Sequence, residues 1–116
     1  MQTKKVISHI INWTKEYVIR SNSKGMVIGI SGGVDSAVTS TLLANTNLPV
    51  LCIEMPIHQD INQIKRGSNH IKWLKSNFNH VNSIYIDLSS AFDNLIQEIS
   101  KNSKSNDLTL ANTRAR

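Results

Sequence analysis

Apolar residues along the chain switch between two spacings, and the switches divide it into helices and strands. Over residues 4–20, Val6, Ile7, Ile10, Ile11, Trp13, Tyr17 and Val18 recur at offsets of three and four, the period of one helical face. Ser21-Asn22-Ser23-Lys24-Gly25 ends that helix with turn-forming residues. Met26-Val27-Ile28-Gly29-Ile30 is a short apolar run without alternation, the pattern of a strand covered on both faces in a parallel sheet. A glycine-rich segment follows at once. A second helix is expected over residues 36–44, with Val38, Leu42 and Leu43 as buried positions, closed by Asn45-Thr46-Asn47.

Residues 49–55 form the second strand, stopped by Pro56, which has no ladder donor. From Ile61 to about Phe78, the apolar positions Ile61, Ile64, Ile71, Leu74 and Phe78 give another helical face. Ile84-Tyr85-Ile86-Asp87-Leu88 reads as the third strand. Ser89-Ser90 can cap a helix carrying Ala91, Phe92, Leu95, Ile96 and Ile99. Residues 101–107 read as a loop, and a further helix is expected from Leu108. Strands alternating with helices predict a three-layer α/β fold, a parallel sheet with helices on both faces. Ligands of such sheets bind beyond the carboxyl ends of the strands.

Composition changes this picture little. The chain has 116 residues, 40% hydrophobic and 18% charged, which places it among globular proteins of about one small domain. The net charge of +5 favours an anionic partner, but Lys4, Lys5, Lys65, Arg66, Arg114 and Arg116 are scattered. No basic run marks a nucleic-acid surface, and no stretch reaches the length of a membrane span. The single cysteine, Cys52, excludes an intrachain disulfide framework, reads as a small buried hydrophobe and fits a cytoplasmic location. Trp13 and Trp73 fall on helical patterns as packing residues. His9, His70 and His80 lack metal-ligand spacing, while His58 and Gln59 sit past a strand end, where substrate contact is expected.

The segment between the first strand and the second helix carries the chemistry. Gly32 and Gly33 let a ligand approach the backbone, and successive N–H groups at a helix start can point at phosphate oxygens. Ser31 and Ser36 add hydroxyl donors. Asp35 is out of place beside an anion until a divalent cation is added, and Mg²⁺ on phosphates takes only one or two protein carboxylates. A Walker A loop requires lysine followed by Ser or Thr after its second glycine, where this chain has Val34-Asp35-Ser36. The three glycines of a dinucleotide fingerprint are also missing.

What remains, Ser31-Gly32-Gly33-Val34-Asp35-Ser36, resembles the signature of the ATP-pyrophosphatase (PP-loop) families. Within these, the segment from Val27 to Val38 is similar to that of ammonia-dependent NAD synthetases. So are Cys52-Ile53-Glu54-Met55-Pro56-Ile57-His58-Gln59, Leu110-Ala111-Asn112-Thr113-Arg114-Ala115-Arg116 and the opening helix with Ile10-Ile11-Asn12-Trp13. The resemblance implies a nucleotide-binding fold of the adenine nucleotide alpha hydrolase type. It also implies a ligase that amidates nicotinic acid adenine dinucleotide (deamido-NAD). The acid's carboxylate attacks the α-phosphorus of ATP, pyrophosphate leaves, and ammonia displaces AMP to give NAD.

By position, the resemblance implies that Gly29, Ile30, Ser31, Gly32, Gly33, Val34, Asp35 and Ser36 bind ATP and that Asp35 binds Mg²⁺. Arg116, and less specifically Arg114, would contact deamido-NAD. No catalytic side chain is assigned beyond the loop. Many relatives carry arginine where Glu54 stands, so the nucleotide contact there is expected to differ. The family's second metal carboxylate, a phosphate-proximal lysine and the rest of the dinucleotide pocket follow the position of Arg116. Residues 1–116 are therefore expected to be the N-terminal part of a single domain, incomplete for catalysis alone, from an enzyme that forms a homodimer. A catalytically inactive nucleotide-binding fragment and a tRNA-modifying adenylating enzyme are the alternatives. Neither a cysteine pair nor an appended RNA-binding domain supports the latter.

Overall fold

The computed structural model describes residues 2–102, which alternate helix and strand throughout. The elements are α1 (Thr3–Arg20), β1 (Met26–Gly29), α2 (Val34–Ala44), β2 (Val50–Glu54), α3 (Ile61–Asn77), β3 (Val81–Tyr85) and α4 (Ser89–Asn102). The strands form one parallel sheet in the order β1-β2-β3. Met26 faces Val50, which faces Val81; two residues on, Ile28 faces Cys52, which faces Ser83. This α/β architecture is the one that the alternation of patterns predicts.

The core lies on the sheet face that carries Val50, Cys52 and Val81, where Ala44 of α2 and Ile71 and Leu74 of α3 close over it. Met26, Ile28, Leu43 and Phe78 pack at its edges. Burying a side chain such as Leu74 or Val50 contributes about 1.5–3 kcal/mol each. The turns between elements are locally satisfied. Asn22 and Asn47 adopt left-handed backbone at the ends of α1 and α2. Buried Thr46 donates its hydroxyl to the Leu43 carbonyl at 2.6 Å and accepts the Leu48 N–H at 3.2 Å. Among the described residues, no helix is long and apolar enough to cross a membrane.

Several local expectations need correction. β3 begins three residues earlier than the apolar run Ile84–Leu88 suggests, because pairing with β2 starts at Val81 and takes in polar Asn82 and Ser83. The ladder does continue past Tyr85, through Ile86 N–H to Glu54 and Leu88 N–H to Pro56. β1 is not evenly covered: Met26 and Ile28 face the core, while Val27 is 66% exposed on the opposite face beside Leu51. α2 starts at Val34, two residues before Ser36, and buries Ser40 and Ala44, while Val38 points outward. The α4 start is held by Asp87, whose carboxylate accepts the Ser89 N–H at 2.9 Å. The N–H and hydroxyl of Ser89 hold that carboxyl below its usual range. α4 runs to Asn102, into the expected loop; the remainder of that loop, the expected helix from Leu108, Arg114 and Arg116 lie outside the described residues.

α1 matches its predicted span closely but not its predicted burial. Only Val18 is buried, and Trp13 and Tyr17 stack on each other at 5.4 Å on the exposed surface. Trp73 packs against the rings of His70 and Phe78 while staying half exposed.

Candidate functional site

The carboxyl ends of β1 and β2 meet the first turns of α2 and α3, and the glycine-rich segment lies at this junction. Ile30 extends β1 by donating its N–H to the Ile53 carbonyl at 2.9 Å. The chain then turns sharply, with Gly32 at φ 88, a left-handed conformation natural to glycine. A Cβ on Gly32 would overlap the backbone carbonyl oxygen of Gln63, so α3 leaves no space for any side chain there. Gly67 explains the close approach: an added Cβ on it would already touch Ile30 at 3.4 Å and the Gly32 nitrogen at 3.5 Å.

The two serines brace the loop across its mouth. The Ser36 hydroxyl accepts the Ser31 N–H at 3.1 Å and lies 3.2 Å from the Ser31 hydroxyl, which accepts the Gly33 N–H at 3.1 Å. Gly33 is the N-cap of α2 and supplies no side-chain cap. Among the described residues, the N–H groups of Val34, Asp35 and Ser36 have no protein acceptor. Three unpaired donors at the positive end of a helix, next to two hydroxyls, form a cradle for an anion. Asp35 stands exposed in the first turn of α2.

Gly29 through Ser36, the residues expected to bind nucleotide, are thus contiguous around one turn. His58 and Gln59 separate from each other. Gln59 lines a narrow cleft with Ser31, Glu54 and Gln63. The His58 ring Nε2 contacts Asp93 of α4 at 2.8 Å, and the His58 backbone N–H donates to the Ser89 hydroxyl at 3.0 Å. Those bonds hold its left-handed backbone, φ 49, and pin α4 to the rim of the site. His80 bonds the Ala44 carbonyl at 2.7 Å, and Cys52 is fully buried. Burial, reinforced by the Glu54 carboxylate, pushes the Cys52 thiol up against an opposing effect of Lys75, so it stays protonated.

Three residues on one turn of α3 join the site, and only Gly67 among them carries a sequence signal of its own. Arg66 donates its Nε–H to the Gly32 carbonyl at 3.4 Å, Gly67 backs the loop, and Ser68 donates to Glu54 at 2.9 Å. Arg66 lines a cavity of about 230 Å³ with Gly32, Gly33, Ser36 and His70, placing a guanidinium at the uncapped start of α2. The isolated glycine in the middle of an otherwise helical pattern was the available hint, since such a glycine usually marks a close packing contact. Glu54, expected to differ from relatives, is held by α3.

A metal fits here only in a particular way. Among the described residues no group of three or more His, Cys, Asp or Glu side chains could hold an ion. Asp35 offers one carboxylate, which suits Mg²⁺ coordinated chiefly by phosphate oxygens and water.

The sequence model of the family described as NAD synthase matches residues 6–116. The NH(3)-dependent NAD(+) synthetase of Mycoplasma genitalium is 32% identical over 114 residues, covering 97% of this chain and 44% of that protein. The enzyme of the same description from Saccharolobus solfataricus is 51% identical over 51 residues, 44% of this chain and 18% of that protein. The chain spans less than half the length of these relatives. Among solved structures, the NH3-dependent NAD synthetase from Campylobacter jejuni in complex with the nitrate ion superposes with TM-score 0.84 at 24% identity, covering 99% of this chain and 48% of that one. A glutamine-dependent NAD+ synthetase from Acinetobacter baumannii in complex with adenosine diphosphate gives TM-score 0.82 at 21% identity, covering 95% and 21%. At these identities the likeness establishes the shared fold.

Proposed function

The chain belongs to the NAD synthase family, and on that premise we propose that residues 29–36 hold the phosphates of ATP for the adenylation of a carboxylate. In the full reaction the substrate is deamido-NAD. Its carboxylate oxygen attacks the α-phosphorus, the bond to the pyrophosphate oxygen breaks, and ammonia then expels AMP to leave the carboxamide of NAD. The observation that carries the assignment is the geometry of the Ser31–Ser36 turn. It combines a left-handed glycine against α3, hydroxyls braced across the mouth and unpaired N–H groups at the α2 start.

These residues position and neutralise. The uncapped α2 terminus and the serine hydroxyls take phosphate oxygens, and charge on the departing pyrophosphate is met by donors already in place. Arg66 adds a fixed positive charge at the loop's edge. Mg²⁺, when bound through Asp35, would withdraw charge from the same phosphates. Ammonia as the nitrogen donor is supported by the descriptions of the relatives. The homodimer belongs to the same reading, and the exposed apolar positions Val6, Ile10, Trp13 and Tyr17 on α1 are surface of the kind a partner covers. Arg114 and Arg116 are proposed to contact deamido-NAD, whose phosphates and carboxylate suit guanidinium groups.

The test is calorimetric titration of ATP with and without Mg²⁺ into the chain and into Asp35→Ala. The chain is expected to bind ATP more tightly with Mg²⁺, and Asp35→Ala to lose that gain, about tenfold in affinity. An identical Mg²⁺ dependence in the variant removes Asp35 from the metal site.

A further inference from the structure

Arg66 stands one residue before Gly67, where α3 packs on the loop. Among the described residues it is the one cationic side chain bonded to the turn. Its Nε–H reaches the Gly32 carbonyl at 3.4 Å, and both Nη groups lack a protein acceptor among those residues. A bond of that length is weak beside the usual distance of about 2.9–3.0 Å. The turn does not depend on it, since Gly32 is already pressed against Gln63 and the two serines brace each other. A guanidinium held loosely by one edge keeps its fork free for an anion. The cavity beside it, about 230 Å³, has room for roughly seven waters at about 30 Å³ each, whereas the cleft beside Glu54 is only about 10 Å³. Gly33, Val34 and Ser36 bring the unpaired α2 start to that cavity, and among the described residues no Asp or Glu lines it. His70, its other titratable wall, has its Nε2 on Ser40.

We propose that Arg66 grips the pyrophosphate end of ATP and makes the turn selective for ligands with two or more linked phosphates. The assignment rests on the phosphate-loop reading above and adds which part of the nucleotide this residue takes. In a displacement at phosphorus, the attacking and leaving oxygens lie roughly in line. With the leaving end seated at the α2 start, the acid's carboxylate approaches the α-phosphorus from the opposite side, away from Arg66. When the bond from the α-phosphorus to the bridging oxygen breaks, its electron pair stays on that oxygen. Arg66 shares the cavity in which that charge grows and is not neutralised by a carboxylate there. AMP, the other product, lacks the group that Arg66 holds.

The experiment measures, by calorimetry on the full chain with Mg²⁺ at one ionic strength, the binding of ATP, inorganic pyrophosphate and AMP. The proteins are the wild type, Arg66→Ala and Arg66→Lys, each checked by circular dichroism and thermal melting. Arg66→Ala is expected to weaken both ATP and pyrophosphate by roughly ten- to a hundredfold. AMP affinity should change by less than about twofold. Arg66→Lys keeps the charge without the fork and should fall between the other two proteins. Unchanged ATP and pyrophosphate affinity in Arg66→Ala overturns the assignment and leaves the loop reading standing. So does a loss confined to ATP, which would put Arg66 against the nucleoside or the α-phosphate. An equal loss for all three ligands also overturns it, because Arg66 would then act only by bracing the Gly32 backbone. A wild type that binds neither pyrophosphate nor ATP defeats the loop reading itself, and the assignment with it.

Discussion

Of the three turns from strand to helix at the carboxyl edge of the sheet, the first two flank the site, and the chain finishes them differently. At the β2–α3 turn, Asp60 caps the helix, accepting the Asn62 N–H at 2.7 Å. At the β1–α2 turn the cap position is Gly33, and no side chain covers the helix start. A helix with glycine at its cap position is less stable than one capped by aspartate or serine by only a few tenths of a kcal/mol. The chain tolerates that at α2 while using glycine and serine to shape the space in front. The difference separates a connection built for the fold from one left open to a ligand. An anion can occupy the α2 terminus, where the α3 terminus already holds its own carboxylate.

The strongest way to break the comparison is to fill the space that glycine leaves. Gly32→Ala puts a Cβ into the Gln63 carbonyl and onto left-handed backbone. We expect a loss of about 3 kcal/mol in urea unfolding, together with loss of ATP binding. A melt equal to wild type would show that α3 does not press on the loop. The next test converts one turn into the other. Gly33 has extended backbone, φ −91 and ψ 171, which any residue adopts. Gly33→Asp would therefore cap α2 as Asp60 caps α3, with stability raised by only a few tenths of a kcal/mol. Its carboxylate would face the incoming phosphates, and ATP affinity should fall roughly a hundredfold. Unchanged affinity in that variant would place the nucleotide somewhere other than the α2 terminus.

The same two turns show what the sequence disclosed. The order of elements followed from the switch between apolar runs and helical periodicity, because each element buries one consistent face. The loop was legible because its residue types are rare in that combination and each answers a requirement of phosphate binding. β3 was misplaced because its register is set by pairing with β2, and a strand whose outer face carries Asn82 does not read as apolar. Exposed Val27 and Val38 show a related limit, since an apolar residue satisfies a pattern whichever way it faces. Arg66 and Ser68 could not be read at all. Their roles come from the rotation of α3 against the loop, and α3's apolar stripe gives that rotation only coarsely.

Asp60→Ala sharpens the comparison from the other side. Removing the α3 cap should lower stability by about 1 kcal/mol in urea unfolding and leave Mg²⁺-dependent ATP affinity unchanged. A matching fall in affinity would mean that the two turns act as one unit.

The smallest expected effect lies behind the open turn. His70 of α3 lines the cavity beside Gly32, Gly33 and Arg66, with its Nε2 2.8 Å from the Ser40 hydroxyl, which itself donates to the Ala37 carbonyl at 3.1 Å. Ser40 therefore accepts, and the neutral ring donates through Nε2. Burial holds the His70 pKa below its ordinary value of 6.5. As pH falls through 6.5 the unfolded chain takes up this proton first, so the group's effect is absent above that value and destabilising below it. The unfolding free energy should thus decline from pH 7.5 to pH 5.5, and His70→Gln should flatten part of the slope by less than about 1 kcal/mol. The contributions of the other histidines cancel in the difference between the two proteins. An equal slope in both would mean that the wall of the open turn admits the charged ring as readily as water does.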